Sequence, residues 1–126
     1  MDLNDLYPKQ DTIEVVLVYK DKTLTNEDGS KMTVEVYLPH TKVSKQVAYT
    51  QQNTLMRKRE AKEEILAEDW VDLGLERLTG ITKGWNITFG GEQPKFSKKK
   101  AKEVYEKFEF IPELIQEALE KDEDFT

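Results

Sequence analysis

From Thr12 the chain alternates with period two. Ile13, Val15, Leu17 and Tyr19 fall on one face of an extended segment, and Glu14, Val16 and Val18 fall on the other. A second alternating run follows, with Met32, Val34, Val36 and Leu38 on the apolar face and Thr33, Glu35 and Tyr37 on the outer one. The polar stretch between them ends in N-E-D-G-S, residues 26–30, which is turn chemistry. The pattern predicts an antiparallel β-hairpin over residues 12–38. A lone hairpin is marginal in water, so it must pack on helices or on another subunit.

Pro39 ends the second run, and the apolar spacing behind it is helical. A helix is expected from Thr41, with a weak stripe of Val43, Val47, Thr50 and Thr54 and then the solvated face R-K-R-E-A-K-E-E of residues 57–64. Leu66, Trp70, Leu73 and Leu78 share one face of the next helix, widened by Ile65, Val71 and Leu75. That breadth predicts the central core helix, ending near Gly80. Two more helices follow. Ser97 is an N-cap ahead of Ala101, Val104, Tyr105 and Phe108, and Pro112 sits in the first turn of a helix that buries Leu114, Ile115, Ala118 and Leu119. Residues 1–11 read as a loose arm and 120–126 as a flexible acidic tail. The expected fold is a single α+β domain: an N-terminal antiparallel hairpin, then about four helices over residues 41–119.

Residues 79–97, T-G-I-T-K-G-W-N-I-T-F-G-G-E-Q-P-K-F-S, join the helical regions and hold four of the six glycines. Gly80 and Gly84 are expected to stop a helix in the left-handed conformation, and Gly90-Gly91 to turn the chain. Trp85 and Phe89 are expected to pin this connector, each worth roughly 2–3 kcal/mol if fully buried.

Composition narrows the function classes. The 126 residues carry a net charge of −6, with 37% hydrophobic and 35% charged side chains. No apolar run approaches the ~20 residues of a membrane span, and M-D-L-N-D-L-Y-P lacks the basic and apolar regions of a leader, so a cytoplasmic location is expected. The absence of cysteine removes disulfides, thiol catalysis and thiolate metal sites. His40 is the one histidine, expected at the surface, and no second histidine completes a metal site. Glu64 and Glu68 lie four apart, as expected by chance among 25 acids. The four glycines of residues 80–91 lack the lysine and hydroxyl of a phosphate loop. No cofactor and no enzymatic activity are expected. Lys98, Lys99, Lys100 and Lys102, beside Phe96, form the one basic cluster and the one argument for nucleic acid, which the acidic balance opposes.

Three stretches point to a family. L-x-x-x-x-G-I-T-K-G-W-N-I from Leu75, Q-P-K-F-S from Gln93 and F-I-P-E-L-I-Q-E-A-L from Phe110 resemble the C-terminal half of tail assembly chaperones of long-tailed bacteriophages. The likeness covers about residues 70–119. Trp85 stands at the family's G-W or D-W step, Pro94, Phe96 and Ser97 at its P-x-x-F-S or P-F-S/T element, and Pro112 at the start of its last helix. The Lys98–Lys100 run departs from the acidic or neutral residues usual there.

The resemblance implies a non-enzymatic protein of the infected host's cytoplasm. It would keep the tape measure protein soluble, bring tail tube subunits to it, and be absent from the mature virion. It also implies that a frameshifted longer form, if made, would extend from the acidic 120–126 segment. Such a protein needs an exposed apolar surface for an amphipathic helix, and Tyr49, Met56, Trp70, Phe108 and Phe110 are the candidates. Val16 and Val18, apolar on the face opposite Val15 and Leu17, are candidates for contact between copies in a homo-oligomer. The competing expectations are a minor structural or head–tail component of the particle, and a nucleic-acid-binding regulator using Phe96 and Lys98–Lys102.

Overall fold

The computed structural model describes residues 2–124, with side chains as far as residue 121. The two alternating runs pair as expected. Strand β1 (Thr12–Val16) lies antiparallel to β4 (Thr33–Tyr37), with Val15 opposite Val34 and Ile13 opposite Val36. Val15, Leu17, Val34, Val36 and Leu38 are buried, while Thr33, Glu35 and Tyr37 face outward and are half-buried.

The hairpin turns twice. After Leu17 the chain forms β2 (Val18–Tyr19) and β3 (Lys22–Thr23), joined by Lys20 and Asp21 with φ of 51° and 65°. Positive φ at both loop residues is the type I′ geometry whose twist suits a two-residue hairpin. The N-E-D-G-S stretch makes the second turn. Asn26 N–H donates to Ser30 O at 2.8 Å, Gly29 takes φ 86°, and Asp28 accepts from Ser30 N–H at 2.9 Å.

The connector departs from expectation. Residues Thr82–Asn86 are a third strand, β5, antiparallel to β4, so the sheet order is β1-β4-β5. Gly80 and Gly84 do not take the left-handed conformation; among the described residues the glycines that do are Gly29, Gly90 and Gly91. Helix α2 (Ala67–Ile81) passes through Gly80 and stops where Thr82 turns extended, at φ −75° and ψ 124°. Its last carbonyls are satisfied from elsewhere: Thr82 Oγ1 donates to Leu78 O at 2.7 Å, and Lys98 Nζ donates to Thr79 O at 3.2 Å and Gly80 O at 2.8 Å. With those orphan acceptors met, no glycine cap is required. The Gly90-Gly91 turn does form, and Trp85 pins the connector through its indole N–H on Pro94 O at 2.9 Å and an edge contact with Phe96.

The central core helices are α3 (Lys98–Lys107) and α4 (Phe110–Asp124), not α2. Ala101, Val104, Tyr105, Ile111, Ile115 and Leu119 are buried with the inner face of the sheet. Ser97 caps α3 by accepting from Lys100 N–H at 3.1 Å. Helix α4 continues through Asp124, past residue 120 where a flexible tail was expected, and residues 125–126 lie outside the described residues. Only the C-terminal end of α2 reaches the core, through Leu78, Thr79 and Ile81. Its N-terminal half instead runs beside α1 (Lys42–Glu60), capped at Thr41, whose hydroxyl accepts from Ser44 N–H at 3.3 Å. The described residues form one α+β domain with an antiparallel sheet and four α-helices.

Candidate protein-binding surface

Helix α1 is 19 residues long and contains no buried residue. It touches α2 along one side. Val47 meets Gly80, the Gln51 amide donates to Leu73 O, and Lys58 Nζ lies 3.7 Å from Asp69 Oδ2. At 100° per residue, Tyr49 and Met56 point about half a turn away from Val47. Both are more than half exposed. On α2, Trp70 and Val71 are also more than half exposed, and Leu66 at the helix start nearly so. Between the helices a depression of about 770 Å³ runs along α1, walled by Val43, Val47 and Tyr49 and closed by Glu76 and Gly80. The α1–α2 hairpin therefore carries most of the large apolar side chains that the helices leave in solvent.

Phe108 and Phe110 are elsewhere. Both are half-buried and line an apolar groove of about 580 Å³ at the α3–α4 junction, together with Leu17, Leu24, Met32 and Phe89. Tyr19 meets Phe110 at a tilt with 4.9 Å between centroids, and Phe89 meets Phe108 edge-on at 5.9 Å. Lys100 and Lys107 place their Nζ 5.0 and 5.5 Å from the centroid of Phe89, and Lys20 lies 5.3 Å from that of Tyr19. The five candidate residues thus fall on two surfaces. The sequence reading missed the contribution of Tyr19, Met32 and Phe89 to the second. It also missed the exposure of Leu3, Leu6 and Tyr7 in the N-terminal arm, where Leu3–Leu6 forms a 3₁₀ turn.

Val16 and Val18 are both half-buried, Val16 in the edge strand of the sheet. The outer face around Val16 is polar: Glu14 lies directly opposite Glu35, and Thr12 Oγ1 donates to Glu35 Oε2 at 2.7 Å.

Three of the four clustered lysines are engaged within the chain. Lys98 holds the α2 C-terminus, and burial pulls its ammonium below the usual lysine range. Lys100 Nζ pairs with Glu103 at 3.2 Å, and Lys102 Nζ reaches Glu76 at 4.0 Å. His40 is half-buried rather than at the surface. Its Nε2 lies 3.4 Å from Asp11 Oδ1 without hydrogen-bond alignment, and its ring meets Tyr7 edge-on. Glu64 and Glu68 are exposed, and among the described residues no three acidic or histidine side chains converge as a metal site. No helix among the described residues is long and apolar enough to cross a membrane.

No protein-family model, curated protein or solved structure matches this chain.

Proposed function

We propose that this chain is a non-catalytic chaperone that holds an amphipathic helix of a larger client on its α1–α2 hairpin. The observation that carries the reading is a long helix with no buried residue, beside a second helix that exposes Trp70 and Val71. In proteins most helical stability comes from packing an apolar face rather than from propensity. A client helix lying along the side of α1 that faces away from α2 would cover Tyr49 and Met56, while Trp70 and Val71 extend the exposed apolar surface onto α2. Met56 supplies adaptable contact for a client of varied sequence.

The resemblance of residues 70–119 names the client. The chain is read as a phage tail assembly chaperone that binds the tape measure protein in the host cytoplasm and helps recruit tail tube subunits. The internal engagement of Lys98, Lys100 and Lys102 counts against the nucleic-acid reading, which requires free cations for phosphate.

The test is co-expression with a tape measure protein, otherwise insoluble, with and without Tyr49→Asp, Met56→Asp and Trp70→Asp. The exposed positions tolerate the substitutions within about 0.5 kcal/mol of stability, so loss of the soluble complex with an unchanged fold supports the surface. Recovery of the complex by the triple variant would remove it. Stoichiometric presence of the chain in purified virions, by mass spectrometry, would replace the chaperone reading with a structural one.

A further inference from the structure

The two most exposed large apolar side chains among the described residues, Leu3 and Leu6, are in the N-terminal arm, with Tyr7 beside them. Leu3 is 81%, Leu6 65% and Tyr7 61% exposed, and the 3₁₀ turn that carries them buries nothing. Two carboxylates, Asp2 and Asp5, flank these side chains. The arm enters the sheet at Asp11, whose carbonyl accepts from Leu38 N–H at 2.8 Å.

The aromatic groove is its chemical complement. The lining is apolar except for Thr88, Lys107 and Glu109, and cations from Lys20, Lys100 and Lys107 sit over its rings. Lys20 and Lys107 form no ion pair among the described residues. A volume of about 580 Å³ is within the ~300–1,000 Å³ of sites that enclose a few apolar groups.

Arm and groove lie at opposite ends of β1. Leu17 lies six positions beyond Asp11, which is about 20 Å of extended chain. A chain fills its own groove only by folding the arm back along the sheet and giving up the Tyr7–His40 contact.

We propose that the groove receives the Asp2–Tyr7 arm of a second copy. Leu3 and Leu6 enter between Tyr19, Phe89 and Phe110, and Asp2 and Asp5 face Lys20 and Lys107. The donor and acceptor surfaces differ and point apart, so the contact is head-to-tail and repeats into a ring or an open string. Six residues bury less than the ~1,200 Å² of a stable interface, so assembly is weak and concentration-dependent. The contact does not involve the α1–α2 hairpin and stands whether or not a client binds there.

Complementary defects test it by sedimentation from roughly ten micromolar to near one millimolar, the range suited to a small interface. The unmodified chain is expected to form species larger than a dimer as concentration rises. Leu3→Asp with Leu6→Asp removes the arm's anchors, and Lys20→Glu with Lys107→Glu reverses the rim; all four residues are exposed, so both variants keep the fold. Each variant alone is expected to weaken association by about tenfold or more. Mixed together they form a heterodimer and stop there. Adding Asp2→Lys and Asp5→Lys to the reversed-rim variant restores assembly. A strict monomer over the whole range overturns the proposal. So does association that survives both pairs of substitutions and is lost instead with Val16→Glu and Val18→Glu, which places the contact on the hairpin.

Discussion

Tyr105 donates its hydroxyl proton to Thr82 Oγ1 across 2.7 Å in the core. The direction follows from Thr82, whose single proton is committed to Leu78 O, also at 2.7 Å. The relay ties α3 to the point where α2 gives way to β5, and it makes the protonation of one phenol part of the fold. Burial pushes the Tyr105 hydroxyl up from 10.0 to about 12. A Thr82 that turned to donate to the phenolate would oppose this rise, but only by releasing Leu78 O.

The consequence is an alkaline limit. A folded-state value above the unfolded one contributes stability that is complete below about pH 10 and is lost as pH rises toward 12. At about 1.4 kcal/mol for each pH unit, the loss across that window is on the order of 3 kcal/mol. Tyr105→Phe is expected to cost about 0.5–1.5 kcal/mol near neutrality, through the lost hydrogen bond, and to flatten the decline above pH 10. Denaturant unfolding of both proteins at several pH values measures it. Equal slopes above pH 10 would show that another group sets the limit.

Gly80 is required by a neighbour rather than by its own backbone. A Cβ there would stand 2.8 Å from Val47 Cγ2, where α1 crosses α2. Gly80→Ala gains about 1 kcal/mol of helix propensity but overpacks the crossing, which costs about 1–3 kcal/mol. The net expectation is a loss. In a Val47→Ala background the obstruction is gone, and Gly80→Ala should then stabilise. A thermal-unfolding double-mutant cycle checks the reversal of sign. If Gly80→Ala has the same effect in both backgrounds, the two helices do not meet at this point.

Which parts of this architecture were legible in the sequence follows from what each depends on. The inward set Val34, Val36 and Leu38, the helix start near Thr41, the cap at Ser97 and the turn at Gly90-Gly91 all rest on local spacing or local conformation, and each formed as read. Strand β5 was not legible, because T-K-G-W-N has a glycine at its centre and no apolar alternation. It is extended because β4 pairs with it. Helix α2 ends beside Gly80 as read, but how it ends was not legible, since its cap is a lysine 18 residues beyond Gly80 rather than a left-handed glycine. Periodicity identified the apolar face of α2 at Leu66, Trp70 and Leu73, but it does not reveal whether anything covers that face. The aromatic groove draws Tyr19, Phe89 and Phe110 from three distant segments, which no short-range pattern joins.

The lysine cap carries its own expectation. Lys98→Met keeps the aliphatic stem but removes both donors from Thr79 O and Gly80 O. A loss of about 0.5–1.5 kcal/mol is expected, together with faster amide exchange confined to the last turn of α2. Lys99→Met, whose ammonium has no ion-pair partner among the described residues, should change neither. Identical exchange in the two variants would mean that Lys98 does not cap the helix in solution.

The Lys20-Asp21 loop holds two non-glycine residues at positive φ, 51° and 65°. Left-handed backbone costs an ordinary L-residue roughly 1–2 kcal/mol, and somewhat less for aspartate, whose side chain tolerates it. The strain persists because the loop closes the Val18–Thr23 pairing and sets Tyr19 against Phe110. Lys20→Asn with Asp21→Gly substitutes the pair that a type I′ turn prefers, and should stabilise the fold by about 1–2 kcal/mol. Lys20→Val, β-branched in the same conformation, should destabilise it by a similar amount. Because Lys20 also borders the groove, the comparison belongs in dilute protein, where association does not contribute to the melting temperature. An Asn-Gly variant that melts below the unmodified chain would show that this turn does not hold the left-handed conformation at both residues.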